Sequence, residues 1–360
     1  MSRHFIGGRL IQVICIAAFS MLASSTLRAQ DSIENKNITE SSKLISITGY
    51  AQGTTYSVKG FQTSTDLDLD ELKQKIEWEL NEIDKQVSNW RIDSEVSQIN
   101  AATNSKWIDV SHDTAYVISN GMQSCEELGG TFDITIGPLT KLWGFRTRSG
   151  SIEAPTVEAI ASVLESVGHD RIKVRMDPPA IMKLGTNVEI DLAGIAQGYS
   201  VDRLVGVLQK AGLNSFLVEI GGEAAARGKK PDGSFWRIGV ERPSQSSSSF
   251  NGIHLILNIE NLAVSTSGDY RKFSVIGGKR RSHIIDPRSG RPVDNRVASV
   301  TVVSDSCMRS DVLSTALMVM GDSEGLKWAT KNEVAALFVL RENDEFALVY
   351  TDWFAKLIER

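Results

Sequence analysis

Strand-like and helix-like segments follow one another in this chain without the strand–helix–strand alternation of a parallel α/β fold. Short alternating runs lie side by side instead, as in residues 45–58, where Gly49 and Gly53 interrupt the pattern. The chain ends with two more such runs, at 335–340 and 347–350. Strands joined by short connections pair as antiparallel hairpins. The sequence therefore predicts an α+β fold of two interleaved lobes, with largely antiparallel sheets flanked by helices.

Three segments locate elements around which a site could form. Apolar residues recur every three or four positions over residues 68–87, which predicts an amphipathic helix. A short second helix follows, with Asp93 or Ser94 as its N-cap. Residues 188–192 are expected to form a strand that enters another helix through a turn rich in glycine and alanine.

The N-terminus has the pattern of a secretory leader. Residues 1–29 contain two arginines, an apolar run and small residues before Ala29. The apolar run is shorter than the roughly 20 residues that cross a bilayer. We expect a signal peptide at 1–29, a flexible polar spacer at 30–43 and one domain at 44–360. The expected location is the periplasm, at or near the inner membrane.

Composition excludes some classes of protein. The net charge of −5 and the pI near 5.7 argue against nucleic acid as a partner. Only Cys125 and Cys307 follow the leader, too few for a disulfide framework, and they either pair or remain buried thiols. The chain lacks the GxxxxGK[ST], GxGxxG, HExxH, GxSxG and CxxC motifs, so it is not expected to use those phosphate, dinucleotide, zinc, serine or redox sites.

Asp311 and Thr315 are the main candidates for a metal site. They are four residues apart in a run that is expected to form a buried helix, so their side chains share one helical face. Two hard oxygens on a rigid element suit Mg²⁺, which takes few protein ligands and completes its shell with phosphate and water. The structural alternative is an N-terminal cap acid and a threonine that bonds back to its own helix.

Four other positions have both a functional and a structural interpretation. Trp90, at the corner between two helices, is either a lid over the core or a platform for a ligand ring. Asp133 is either a turn acid or a polar anchor in an apolar pocket. The small residues around Gly194 suit either a phosphate or cation near a helix start, or close helix packing. His283 lies among acids and turn residues and is the candidate proton acceptor, or it orients the turn at 286–290.

Six segments together resemble the ApbE family, the FAD:protein FMN transferases. They occur in the family's order over roughly residues 44–350 and read AQGTTYSVKG, VSNWRIDSEVSQIN, GGTFDITIGPLTKLWGF, IDLAGIAQGYSVDRL, LVEIGGEAAARGKKPDGSFWRIGVERP and STSGDYRKF…SHIIDPRSGRPV…SDVLSTALMVMG. Each segment alone is weakly specific, whereas six in the same order are highly specific. The resemblance implies a T-fold-like architecture with a flavin nucleotide site between the lobes.

The resemblance also implies the chemistry and its residues. FAD and Mg²⁺ would bind, a threonine of a partner protein would attack the FMN-side phosphorus, and AMP would leave. The implied metal ligands are Asp311, Thr315 and the backbone carbonyl of Gly194, with Ser314 a weaker candidate, and the implied catalytic residue is His283. The implied flavin nucleotide contacts are Gln52, Trp90, Thr131, Phe132, Asp133, Asp191, Gln197 and Ile285.

Two positions depart from the family pattern. Many members have methionine in place of Gln52 and lysine in place of Gln197, so this chain lacks a cation that could face the nucleotide. The implied acceptor is a threonine-bearing subunit of a membrane redox or ion-pumping complex. The alternatives are a hydrolase that splits FAD into FMN and AMP, and a flavin-binding protein without turnover.

Overall fold

The computed structural model describes residues 42–62, 67–146, 153–243, 252–269, 273–276, 279–343 and 345–358. The predicted signal peptide, and the predicted spacer up to residue 41, lie outside these residues. Within the described ranges no helix is both long enough and apolar enough to cross a bilayer.

The described residues form seventeen strands, eight α-helices and a 3₁₀ turn at His169–Arg171. The strands are β1 (Lys43–Ala51), β2 (Thr54–Gln62), β3 (Ile108–Asp109), β4 (Ile172–Met176), β5 (Pro179–Lys183), β6 (Phe216–Ile220), β7 (Glu223–Arg227), β8 (Trp236–Glu241), β9 (Ile253–Ile259), β10 (Ala263–Gly268), β11 (Phe273–Ile276), β12 (Lys279–Ser282), β13 (Ile285–Asp286), β14 (Arg291–Pro292), β15 (Val297–Ser304), β16 (Ala335–Glu342) and β17 (Glu345–Tyr350). The helices are α1 (Leu69–Val87), α2 (Glu95–Ala101), α3 (His112–Glu127), α4 (Gly137–Leu142), α5 (Val157–Leu164), α6 (Ala196–Lys210), α7 (Cys307–Lys331) and α8 (Asp352–Ala355).

Eight of the strands form one sheet in which every neighbouring pair is antiparallel. Its order is β1-β2-β6-β7-β10-β15-β16-β17. Strands β1 and β2 pair as a hairpin from Lys43–Gln62 to Ala51–Thr54, and β16 pairs with β17 in the same way at the other edge. The predicted α+β class with antiparallel sheets is therefore confirmed.

The core lies on both faces of this sheet. In β16, Phe338 and Leu340 face the helices, whereas Leu337 and Val339 face the β8–β9 hairpin. The core on the helical face is divided into two clusters, one around α7 and one around α1 and α6. Both clusters draw on residues from distant parts of the chain, as expected for interleaved lobes that share one sheet.

Helices α6 and α7 approach each other closely at Gly198. A Cβ atom at Gly198 would lie 2.5 Å from the carbonyl oxygen of Cys307, so only glycine fits there without moving one of the helices. The Gly198 backbone N–H donates to Asp311 Oδ2 at 3.1 Å. This close approach places a side chain of α7 against the first turn of α6.

The N-terminus of α7 is capped by two residues, and Asp311 is not one of them. Ser306 is the N-cap residue, and its hydroxyl accepts from the backbone N–H of Arg309. The Asp202 carboxylate on α6 accepts from the backbone N–H groups of Cys307 at 2.8 Å and Met308 at 2.9 Å. Because Asp311 lies beyond the first turn, its interpretation as a cap acid is wrong.

Residues 188–192 do not form the predicted strand. Their strand-like pairing is limited to one bridge from Glu189 to Ile136 and one bond from the Asp191 N–H to the Ile134 carbonyl at 2.7 Å, and two asparagine side chains satisfy other backbone groups. Asn89 donates to the Ile190 carbonyl at 2.7 Å and accepts from the Leu192 N–H at 2.8 Å. Asn100 donates to the Ile190 carbonyl at 2.8 Å and accepts from the Ile190 N–H at 2.7 Å. The alternating apolar residues of this segment therefore reflect burial and not a strand, because Val188, Ile190 and Leu192 are all buried in the core.

Replacing Gly198 with alanine should destabilise the protein, because the new methyl group would collide with the Cys307 carbonyl. Gly206 lies on the same helix with nothing within 4 Å of a Cβ atom, so Gly206→Ala is the matched control. We expect Gly198→Ala to lower the free energy of unfolding by about 1–3 kcal/mol. Gly206→Ala should raise it by up to about 1 kcal/mol through helix propensity.

Urea unfolding followed by circular dichroism measures both effects. Equal stabilities for the two variants would contradict the close contact between α6 and α7.

Candidate active site

One cleft collects the residues that the sequence analysis assigned to the site, apart from the weaker metal candidate Ser314, which does not line it. Its volume is about 970 Å³, at the upper end of the roughly 300–1,000 Å³ typical of small-molecule sites. The lining includes the twelve other predicted positions: Gln52, Trp90, Thr131, Phe132, Asp133, Asp191, Gly194, Gln197, His283, Ile285, Asp311 and Thr315. These residues come from turns and helices spread over most of the domain, so the fold brings them together.

The candidate metal ligands lie where α6 and α7 meet. Asp311 is 5% exposed and reaches the first turn of α6 through its bond to Gly198. A Cβ atom at Gly194 would lie 3.2 Å from Thr315 Oγ1, so the Gly194 backbone is directly beside that hydroxyl. The hydroxyl that bonds back to its own helix belongs to Ser314, which donates to the Asp311 carbonyl at 3.0 Å.

A second buried carboxylate lies beside Asp311. Glu223 begins β7, lines the cleft and is 9% exposed. Ser265 donates to its Oε1 at 3.3 Å, while its buried Oε2 has no hydrogen-bond partner. Burial raises the pKa of Asp311 to about 7. Burial, and then the charge of Asp311, raise the pKa of Glu223 well above its usual range.

This set of donors fits a hard divalent cation. Buried acids with raised pKa values gain from a neighbouring positive charge, which favours their ionised form. Within the described residues no three His, Cys, Asp or Glu side chains form a metal cluster. A cation here would therefore depend on the Asp311 carboxylate, the Thr315 hydroxyl and the Gly194 backbone, and Mg²⁺ accepts such a sparse set when phosphate and water complete its shell.

The loop after α3 holds Asp133 through structural bonds. Its Oδ1 accepts from the backbone N–H and the hydroxyl of Thr135, at 2.7 and 2.6 Å. Its Oδ2 accepts from the Cys125 thiol at 3.3 Å. Asp133 is thus a turn acid at the cleft wall, next to the buried Thr131 and Phe132. Cys125 and Cys307 are both free and buried, so they do not pair.

Asp191 is fixed beside the Asp133 loop, where its backbone N–H donates to the Ile134 carbonyl at 2.7 Å. Its Oδ2 forms an ion pair with Arg146 at 2.7 Å and accepts from the Thr140 hydroxyl at 3.3 Å. Its Oδ1 accepts from the Ala193 N–H at 3.1 Å, which shapes the turn before Gly194. The ion pair thus places the one described guanidinium of the cleft next to a carboxylate.

The two positions that depart from the family pattern bond to protein atoms. Gln52, in the β1–β2 turn, donates to the Ser200 hydroxyl at 2.8 Å. Gln197, in the first turn of α6, donates to the Ile220 carbonyl at 2.8 Å. Both side chains tie the sheet to α6 at the cleft, and neither carries a charge.

Trp90, Ile285 and His283 lie on other parts of the cleft wall. Trp90 is 78% exposed, so it is not the lid over the core that one interpretation proposed. Ile285 is buried in the short β13–β14 pair. His283 lies two residues before Ile285, and the turn that follows is closed by a bond from the Gly290 N–H to the Asp286 carbonyl at 2.8 Å.

The cleft is acidic. Its described lining residues include one guanidinium, that of Arg146, and five carboxylates, and they include no lysine. The carboxylates are Asp133, Asp191, Glu223, Glu241 and Asp311. An anionic ligand in such a cleft needs added positive charge, because repulsion between buried like charges is strong in a low dielectric.

The sequence analysis missed several residues that build the site. Glu223 had a signal, since an acid follows two glycines and precedes three alanines. Asp202 and the two asparagines, Asn89 and Asn100, had none, because their partners lie far away in the sequence. Ser267, which contacts Thr315, could be found only from the pairing of β10 with α7.

The fold and the cleft define an α+β protein with an antiparallel sheet and one large cleft lined by acidic residues. The model of the ApbE family matches residues 52–338, and the chain belongs to this family.

Named relatives agree over nearly the whole chain. A Vibrio cholerae protein called FAD:protein FMN transferase is 36% identical over 302 residues, or 84% of this chain and 89% of that protein. A Haemophilus influenzae protein of the same name is 33% identical over 324 residues, or 88% and 92% of the two chains.

Solved structures give the same result. The apo form of the Pseudomonas stutzeri flavinyl transferase ApbE has a TM-score of 0.78 and 37% identity, and it covers 88% of this chain and 97% of its own. The Vibrio cholerae flavin transferase ApbE has the same TM-score at 35% identity, covering 88% and 99%.

Asn89→Ala should destabilise the protein, because the Leu192 N–H loses its partner and the Ile190 carbonyl keeps only the bond from Asn100. We expect a loss of about 1–3 kcal/mol in the free energy of unfolding, as for a buried backbone group left unpaired. Asn120→Ala is the control, since the Asn120 side chain donates to the Tyr116 carbonyl of its own helix. Its effect should stay within about 0.5 kcal/mol. Chemical denaturation measures both values, and similar losses would contradict the role of Asn89 in holding the segment before Gly194.

Proposed function

We propose that this protein transfers FMN from FAD to a threonine hydroxyl of a partner protein and releases AMP. The observation that carries this proposal is the single cleft that unites all twelve positions implied by the family resemblance. The names of the Vibrio and Haemophilus relatives support the same reaction. No observation favours water as the acceptor.

The acidic cleft explains why the reaction would depend on Mg²⁺. The pyrophosphate of FAD is anionic, and the described lining offers one guanidinium that already pairs with Asp191. Asp311, Thr315 and the Gly194 carbonyl would hold the cation. When bound, Mg²⁺ neutralises charge on the pyrophosphate and acts as a Lewis acid. Gln197 in place of lysine makes this dependence stronger, because the chain supplies less positive charge of its own.

The other residues would position the reactants. Trp90 would stack on a ring of the nucleotide at the exposed edge of the cleft. His283 would accept the proton of the attacking threonine hydroxyl while its oxygen bonds to the FMN-side phosphorus. The bond from that phosphorus to the bridging oxygen breaks, and AMP leaves with this oxygen. Positioning and charge neutralisation are the main demands of phosphoryl transfer.

The acceptor would be a threonine-bearing subunit of a membrane redox or ion-pumping complex. The leader-like pattern at residues 1–29 supports export, which would place the enzyme and such a subunit on the same side of the inner membrane.

Mass spectrometry of a threonine-bearing acceptor domain tests the transfer. Incubation with the protein, FAD and Mg²⁺ should add the mass of FMN minus water, and AMP should appear in equal amount. Asp311→Asn should abolish labelling, because it removes the charged metal ligand. Asp352→Asn, on the distant and exposed start of α8, is the control and should label normally. AMP and free FMN without labelling would indicate a hydrolase, and intact FAD would indicate a flavin carrier.

Trp90→Ala should weaken FAD binding, because a base or ring that stacks on an aromatic side chain loses about 1–3 kcal/mol on truncation. The dissociation constant would rise by about 5- to 150-fold. Trp78 on α1 is also exposed, at 62%, but does not line the cleft, so Trp78→Ala is the matched control. Flavin fluorescence titration in EDTA measures binding to both variants without turnover. An unchanged constant for Trp90→Ala would exclude stacking.

A further inference from the structure

Three hydroxyl groups form a chain beside the candidate metal ligands. Ser267 on β10 lies 2.8 Å from the hydroxyl of Ser314 and 3.0 Å from that of Thr315, oxygen to oxygen. Ser314 is fully buried and does not line the cleft, whereas Ser267 and Thr315 do. The chain thus connects the inside of α7 to the wall of the cleft.

Only one arrangement of the protons forms all three bonds of this chain at once, and it has a single direction. Each hydroxyl has one proton to donate. Ser314 donates its proton to the Asp311 carbonyl at 3.0 Å, because a carbonyl can only accept. Ser267 must therefore donate to Ser314. Since its proton is then used, Thr315 must donate to Ser267.

This arrangement sets the orientation of the Thr315 hydroxyl. With its proton directed at Ser267, both lone pairs of Thr315 Oγ1 point elsewhere. The Gly194 backbone is beside this oxygen and carries no side chain that could cover it. A cation bound to a neutral hydroxyl needs such lone pairs, with the proton turned away.

We propose that Ser267 and Ser314 are positioning residues that hold the Thr315 hydroxyl in the orientation required of a cation ligand. The inference rests on the cation site of the proposed function. Ser314 thus acts without contacting the cation, because it accepts the Ser267 proton and so leaves Ser267 able to accept the proton of Thr315.

Binding of Mn²⁺ to the full-length protein, measured by electron paramagnetic resonance without FAD or acceptor, tests this inference apart from transfer activity. Ser267→Ala removes the acceptor of the Thr315 proton. Ser314→Ala frees the Ser267 proton to donate to Thr315, where it would occupy a lone pair. Each variant should bind Mn²⁺ about 3- to 10-fold more weakly, as expected for one hydrogen bond. The double variant should bind no more weakly than Ser267→Ala, because both act through Thr315.

Ser310→Ala is the matched control, since Ser310 is equally buried on α7 and its hydroxyl bonds to Ser304 at 2.8 Å. It should bind Mn²⁺ as the parent does, and Ser267→Thr should restore affinity. Weaker binding in Ser267→Ala but not in Ser314→Ala would contradict the positioning role of Ser314 and make Ser267 a direct ligand. Unchanged binding in both variants would overturn the positioning role of both serines while leaving the proposed function intact. A parent protein that binds no Mn²⁺ would overturn the cation site as well.

Discussion

The site depends on how closely α6 approaches α7. Gly198 allows this approach because it has no side chain, and the Asp202 carboxylate secures it from α6 by capping the first turn of α7. With the helices in contact, Asp311 and Thr315 face the turn that precedes α6. The spacing of these two helices therefore sets the geometry of the candidate cation ligands.

Charge is the second constraint on the cleft. Two neighbouring carboxylates, Asp311 and Glu223, are buried there, and one oxygen of Glu223 has no partner. Such a pair is costly in a protein interior unless a proton or a cation accompanies it. In the proposed reaction, the cation that relieves these acids would also neutralise the pyrophosphate of FAD. The acidic lining and glutamine rather than lysine at position 197 would then act together, since both leave charge neutralisation to the cation.

The sequence predicted the class of fold and twelve residues that line the cleft, but not Glu223 or Ser267, and not how the site is held together. Alternating runs predicted the β1–β2 and β16–β17 hairpins because local pairing leaves a local pattern. Residues 188–192 misled the prediction, because burial against Asn89 and Asn100 gives the same apolar pattern as a strand. The direction of the Thr315 proton depends on Ser267, 48 residues earlier, and no sequence pattern carries that information.

The order of strands in the large sheet also affects how the protein folds. Strand β2 pairs with β6 across more than 150 residues, and β10 joins β7 to β15 in the middle of the sheet. Contacts of such long range form slowly, since the intervening chain must first be ordered. The cleft takes residues from Gln52 to Thr315, so a chain emerging from synthesis has no complete site until α7 docks. In the proposed reaction, FAD would therefore meet a complete cleft only in the fully folded protein.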